Sequence, residues 1–87
     1  METRSQIAEK LKGILAEDLE LNVPDDLQES ALLYEDLNVD SIVMLQLVVY
    51  LEEYFGIVVP EEEMGPDTFK TVGMVIDYVA NLQGASA

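Results

Sequence analysis

The chain contains no histidine, no cysteine and no tryptophan. Each absence removes a class of chemistry. Without cysteine there is no thiolate nucleophile, no disulfide framework and no thiolate-ligated metal. Without histidine there is no imidazole base, so neither a Ser-His-Asp triad nor an N/S zinc site can be built. Basic residues are scarce: Lys plus Arg number 4 against 18 Asp plus Glu, for a net charge of −14. Arg4, Lys10 and Lys12 stand near the start, Lys70 near the end, and none lies between Gly13 and Phe69. Such a field repels nucleic acid and anionic membrane surfaces, and attracts basic partners. Long apolar runs are missing too. The longest, Leu47 to Leu51, is far too short to span a bilayer. Met1 to Lys12 has no apolar core of a signal peptide. A soluble, cytoplasmic, monomeric protein is expected, with no nucleic-acid or membrane partner.

What remains is 87 residues, 49% of them hydrophobic. That makes one small domain, able to bury roughly 60–65% of its unfolded surface. Strong acidity signals disorder only when hydrophobicity is low as well. Here it is not, so the chain reads as a folded acidic domain. It has no room for a deep catalytic cleft between domains, and no catalytic residues are assigned.

Helical periodicity organises the chain. Ile7, Leu11, Ile14, Leu15 and Leu19 share one face, which predicts a first helix over about residues 4–18, capped by Thr3 or Ser5. Leu19 to Asp40 is a long connection with Pro24, many acids and seven spaced apolar residues, from Leu21 to Val39. A structureless loop of that length is uncommon in a compact domain, so its leucines are expected to pack across the helices. A short helical turn is expected near Leu27 to Leu33. Asp40 suits the N-cap of a second helix, over about 41–55, and Gly56 suits its left-handed C-cap. From Ile42 to Leu51 only Gln46 is polar. A helix apolar all round cannot be buried on every side in so small a protein, so part of it should be exposed as an interaction surface. After Pro60 an acidic stretch containing Gly65-Pro66 leaves room for only a short helix, placed at about 66–70. Thr71 caps a last helix over about 72–82, whose apolar face is Val72, Val75, Ile76 and Val79, and Gln83 to Ala87 is expected to fray.

Three motifs compete for a function. Asp36-Leu37-Asn38-Val39-Asp40 opens like a calcium loop, but Ser41 stands where the essential glycine would be and Leu47 where the bidentate glutamate would be. No metal site is assigned. Glu61-Glu62-Glu63 reads as a solvated acidic run. Asp40-Ser41 alone is an ordinary helix start, but its context is not ordinary.

The stretch Glu35-Asp36-Leu37-Asn38-Val39-Asp40-Ser41-Ile42, then Leu51-Glu52-Glu53-Tyr54-Phe55-Gly56-Ile57, then Val59-Pro60-Glu61-Glu62, then Thr71-Val72 and Ile76-Asp77-Tyr78-Val79, resembles the acyl and peptidyl carrier protein family. The motifs fall in order over nearly the whole chain. The resemblance implies an all-α, four-helix bundle with a long first loop and a short third helix. It implies that Ser41 carries covalent 4′-phosphopantetheine taken from coenzyme A, with Asp40 capping the helix beside it. A phosphate is favoured at a helix N-terminus by free N–H groups and the helix dipole. The arm would supply the thiol this chain lacks, and the protein would supply recognition. The chain is then a non-catalytic carrier.

Two departures refine the resemblance. Carriers of the fatty-acid branch typically have acids two and five residues after the serine; here these are Val43 and Gln46. The usual glycine before the variable residue and Asp-Ser is Asn38. The helix is thus unusually apolar, as in carriers of nonribosomal-peptide and aryl-acid pathways. Met44 to Leu47 and Phe69 to Gly73 look most like free-standing aryl carriers of petrobactin-type siderophore assembly. The implied partners are a phosphopantetheinyl transferase, an adenylating acyl or aryl ligase, and a condensing or synthetase enzyme. They would meet Ile42, Val43, Met44 and Gln46. The implied cargo is an acyl, aryl or aminoacyl thioester, with an aryl acid such as a dihydroxybenzoate preferred. The alternatives are a fatty-acid-type carrier, or an acidic helical adaptor with no prosthetic group.

Overall fold

The computed structural model describes residues 3–65 and 67–85. Three α-helices carry the architecture: α1 (Arg4–Gly13), α2 (Ser41–Phe55) and α3 (Val72–Ala85). Among the described residues there is no strand, only an isolated antiparallel bridge between Leu32 and Thr71.

α1 begins with a full capping box. The Thr3 hydroxyl accepts the Gln6 N–H at 3.2 Å, and the Gln6 side chain accepts the Thr3 N–H at 2.9 Å. Lys10 and Lys12 lie in its last turn, where the helix dipole favours cations. The helix then loosens into a π-helical turn, Ile14–Asp18, which keeps Ile14 and Leu15 buried. Leu19 N–H donates back to the Ile14 carbonyl at 2.9 Å, and Leu21 N–H to Leu15 at 2.9 Å. A positive φ of 53° at Glu20 ends the run.

The connection from Leu19 to Asp40 supplies core. Leu33, Leu37 and Val39 are buried in the core, and Leu19, Leu21, Val23, Leu27, Ala31 and Tyr34 pack against that core, half-buried. A turn does form within Leu27 to Leu33, at residues 29–30, where Ala31 N–H donates to Gln28 at 3.1 Å, and a second follows at residues 33–36, with Asp36 N–H donating to Leu32 at 2.8 Å. The Asp36 carboxylate returns the bond by accepting Leu32 N–H at 2.8 Å. Backbone bonds then tie this connection to the start of α3. Leu33 N–H donates to Lys70 at 3.0 Å, Val72 N–H to Ala31 at 3.0 Å, and Gly73 N–H to Glu29 at 2.8 Å. Arg4 adds a side-chain clamp, pairing with Glu29 at 2.5 Å and with Asp77 on α3.

The short third helix expected at 66–70 is not found. Residues 67–70 are turns and bends, and residue 66 lies outside the described residues. A single 3₁₀ turn sits earlier, at Glu61–Glu63. Pro60 precedes it with φ −61°, preset for helical entry, and three acids suit its N-terminal end. α3 starts where expected: the Thr71 hydroxyl accepts Met74 N–H at 3.1 Å. It runs past residue 82 to Ala85, and the Gln83 amide donates to the Phe55 carbonyl at 3.4 Å across to the end of α2. Residues 86 and 87 lie outside the described residues. Phe69 is fully buried and meets Tyr78 edge-on at 5.0 Å, while the Tyr78 hydroxyl donates to Glu63 at 3.0 Å. Among the described residues every buried one is apolar except Gly73.

Candidate functional site: the start of α2

α2 is placed by its two ends. Asp40 has an extended backbone, and its carboxylate accepts Val43 N–H at 2.8 Å, satisfying one of the free donors of the first turn. Gly56 ends the helix in the left-handed region, at φ 64°. The backbone enters through Asn38, also left-handed at φ 58°. That conformation explains the glycine usual at this position, and asparagine is among the few other residues that adopt it readily.

One face of α2 is core: Met44, Leu47, Val48, Leu51 and Phe55 are buried. The opposite face is open. Ile42 is 69% exposed, Leu45 54% and Val49 51%, and Gln46 is exposed among them. Val58, just beyond the helix, is 77% exposed. The carboxylate of half-buried Glu52 accepts Val59 N–H at 2.8 Å, holding that following segment against the helix end. Tyr54 lies on another flank, its ring tilted 32° to that of Tyr50 with centroids 6.3 Å apart, and its hydroxyl donates to Asp18 at 3.0 Å. That bond raises the Tyr54 pKa above its ordinary value.

Of the four sequence-predicted contact residues, Ile42 and Gln46 share the open face and Val43 is half-buried at its edge. Met44 is a correction: it is 1% exposed and belongs to the core. At 100° per residue it turns away from Ile42 and toward Leu47 and Val48. Leu45 and Val49 take its place. The signal for them was available, since residues 42, 45 and 49 stand at i, i+3 and i+7.

Ser41 occupies the first position of α2 and is exposed. Its hydroxyl is therefore offered to solvent at the positive end of a 15-residue helix. An alcohol in this setting fits a phosphodiester: the first-turn amides and the dipole favour the added negative charge. Ser5 and Ser30 are also exposed, but Ser5 lies inside the Thr3 capping box and Ser30 in a turn of the long connection. Among the described residues no group of three or more His, Cys, Asp or Glu side chains converges to hold a metal ion. No helix among them is long and apolar enough to cross a membrane.

Comparison with known proteins identifies the family. Residues 9–79 match the family model described as "Phosphopantetheine attachment site". The chain is 39% identical over 80 residues to the acyl carrier protein AsbD of Bacillus anthracis, covering 92% of this chain and 88% of that one. It is 40% identical over 78 residues to an acyl carrier protein of Thermosynechococcus vestitus, covering 90% and 93%. The crystal structure of a Thermotoga maritima acyl carrier protein superposes with a TM-score of 0.82 at 23% identity, over 97% and 94% of the two chains, a likeness of fold. A Bradyrhizobium japonicum structure of a glycine:[carrier protein] ligase complexed with glycylated carrier protein contains a chain matching at TM-score 0.63 and 26% identity, over 90% and 99%. With an all-α bundle, a family match across most of its length and relatives of that name, the chain belongs to the acyl carrier protein family, whose members are non-catalytic carriers of covalently attached 4′-phosphopantetheine.

Proposed function

We propose that Ser41 is the attachment residue, and that the arm holds an acyl, aryl or aminoacyl thioester in a secondary-metabolite pathway of the nonribosomal-peptide, siderophore or polyketide kind. The observation that carries the reading is the exposed Ser41 hydroxyl at the capped start of α2, beside an open apolar face of Ile42, Leu45 and Val49. Asp40 holds the first turn in place. Ser41 needs no activating base of its own, because a separate transferase makes the phosphodiester.

The cytoplasm is the expected setting. An adenylating ligase loads the thiol, and a condensing or synthetase enzyme removes the cargo. Apolar contacts on the open face, with surrounding acids steering the approach, suit partners whose docking surface is apolar with a basic rim. The ligase-bound neighbour in Bradyrhizobium lends support to loading of this kind. An aryl acid such as a dihydroxybenzoate is the preferred cargo. Its support is the absence of acids at Val43 and Gln46 and the likeness to AsbD, set against an equal likeness to a cyanobacterial acyl carrier protein.

A competition assay tests the pathway. The phosphopantetheinylated protein is offered, with ATP, to an aryl-adenylating ligase with dihydroxybenzoate and to an acyl-carrier synthetase with a fatty acid. Faster aryl loading supports the proposal. Faster fatty-acyl loading would assign the chain to the fatty-acid branch.

A further inference from the structure

The long connection has two unlike halves. From Leu33 onward it is anchored by burial, through Leu33, Leu37 and Val39. Before that, none of residues 21–32 is buried: Leu21, Val23, Leu27, Ala31 and Leu32 are half-buried and the rest are exposed. A segment with so few buried contacts belongs to the low-stability end of a fold.

Its fasteners are polar, and they are spread along its length. Leu21 N–H donates to the Leu15 carbonyl at 2.9 Å. The Lys12 ammonium donates to the Asp25 carbonyl. The Arg4 guanidinium forks, one nitrogen to Glu29 and the other to Asp77 of α3. The carbonyls of Glu29 and Ala31 accept Gly73 and Val72 N–H, at 2.8 and 3.0 Å. Those are first-turn amides of α3, which have no partner within their own helix. The Thr71 hydroxyl takes the next one, from Met74. The connection thus completes the cap of α3. Two of the four bases of the chain are used on a segment with three acids and no base of its own.

Strain sits at its near end. Glu20 holds φ at 53°, a left-handed backbone that a long side chain adopts at a cost. Such a residue persists only where its surroundings hold it. Undoing the fasteners lets Glu20 return to negative φ, so this relaxation favours opening. None of the named fasteners reaches α2.

We infer that residues 21–32 are a strap that lifts from α1 and α3 as one unit while α2 stays folded, with Glu20 as its hinge and Arg4 as its latch. Lifting leaves the buried anchors Leu33, Leu37 and Val39 in place, and with them the path into Asp40 and Ser41. It uncaps α3 and changes the α1–α3 side of the molecule without moving the serine. Arg4 suits the latch because one planar guanidinium serves two carboxylates. A lysine would keep the charge and lose the fork. The inference holds whatever Ser41 carries.

Native-state hydrogen exchange on the unmodified full chain, at a series of low urea concentrations, tests it. The amides of Leu21, Val72 and Gly73 report the strap, and those of Leu47 and Leu51 report global unfolding. The three strap amides should share one opening equilibrium, at least about 10-fold above that of the α2 amides and less sensitive to urea. Arg4→Met should raise it about 2- to 10-fold at all three, and Arg4→Lys by less. Glu20→Gly, free to adopt positive φ, should lower it about 2- to 5-fold. Val48→Ala, in the buried face of α2, should speed exchange at Leu47 and Leu51 and leave the strap amides unmoved. Fraying of α3 alone would move Val72 and Gly73 without Leu21, and would overturn the strap. Strap amides that follow the α2 amides in every variant and at every urea concentration would overturn it as well. Strap amides indifferent to Arg4→Met would remove the latch, and indifferent to Glu20→Gly the hinge.

Discussion

The Asp40 carboxylate accepts the Val43 N–H at 2.8 Å, so the residue before Ser41 closes the first turn of the helix that Ser41 opens. The capping bond ties the stability of α2 to the presentation of the serine. Asp40→Ala should cost about 1 kcal/mol, the usual cost of a lost N-cap. In a domain of this size that lowers the melting temperature by about 4–8 °C. Asp40→Asn should retain most of it. Thermal unfolding of the three proteins by circular dichroism checks the ordering.

The two faces of α2 should respond in opposite ways. Met44→Ala removes a fully buried side chain and should destabilise by about 2–5 kcal/mol. Leu45→Asp, on the open face, should change stability by only about 0.5 kcal/mol or less, yet slow loading by the cognate ligase. Urea unfolding and loading rates on the same two variants separate the effects. Unchanged loading by Leu45→Asp would remove that residue from the docking surface.

Gly73 shows where the long connection presses on α3. A Cβ there would stand 3.2 Å from the Glu29 Cβ, backbone oxygen and Oε1. Gly73→Ala should therefore overpack this contact and destabilise by about 1–3 kcal/mol. Gly13 has open space around it. Gly13→Ala, within a helix, should be neutral or stabilising by up to about 1 kcal/mol. Equilibrium unfolding of the pair decides whether the connection is a packed part of the fold.

Alkaline pH should act through tyrosines. Burial and then the hydrogen bond to Glu63 raise the Tyr78 pKa, and the bond to Asp18 raises that of Tyr54. Both favour the protonated phenol in the folded state. Their contribution is thus present below the ordinary tyrosine value near about 10 and is lost as pH rises through the raised values. Stability of the wild type should fall more steeply above about pH 10 than that of Tyr54→Phe/Tyr78→Phe. Urea midpoints across that range measure it.

Salt should stabilise the chain. At a net charge of −14 self-repulsion opposes compaction, and the Debye length falls from about 10 Å at 0.1 M to about 3 Å at 1 M. The melting temperature should rise with sodium chloride. A falling trend would mean that the Arg4 clamp to Glu29 and Asp77 outweighs the repulsion it offsets.

Local chemistry was legible in the sequence where one residue decides a structure. Asp40 and Gly56 mark the ends of α2 by capping, and Thr71 marks the start of α3. The leucines between Leu19 and Asp40 signalled packing, and Leu33 and Leu37 are core. The inward face of α2 was not legible from hydrophobicity, because the helix is apolar nearly all round. Met44 was placed outside for that reason, although two residues at about 100° each turn it about 200° from Ile42, to the opposite face. The π-helical turn has no local signature: its bonds depend on where Leu19 and Leu21 pack. The short helix was placed at about 66–70, within a stretch read as acidic and interrupted by Gly65-Pro66, whereas the 3₁₀ turn forms earlier, at Glu61–Glu63, where three acids suit a helical N-terminus. The latch of the strap joins residues far apart in the chain, Arg4 with Glu29 and Asp77, and only the fold brings them together.

The central claim is that Ser41 receives the arm, and the intact mass after incubation with coenzyme A and a broad-specificity phosphopantetheinyl transferase tests it most directly. Wild type should gain one phosphopantetheinyl group. Ser41→Ala should gain none while keeping its helical circular dichroism. A wild type left unmodified by transferases active on other carriers, or a Ser41→Ala protein that is still modified, would contradict the account.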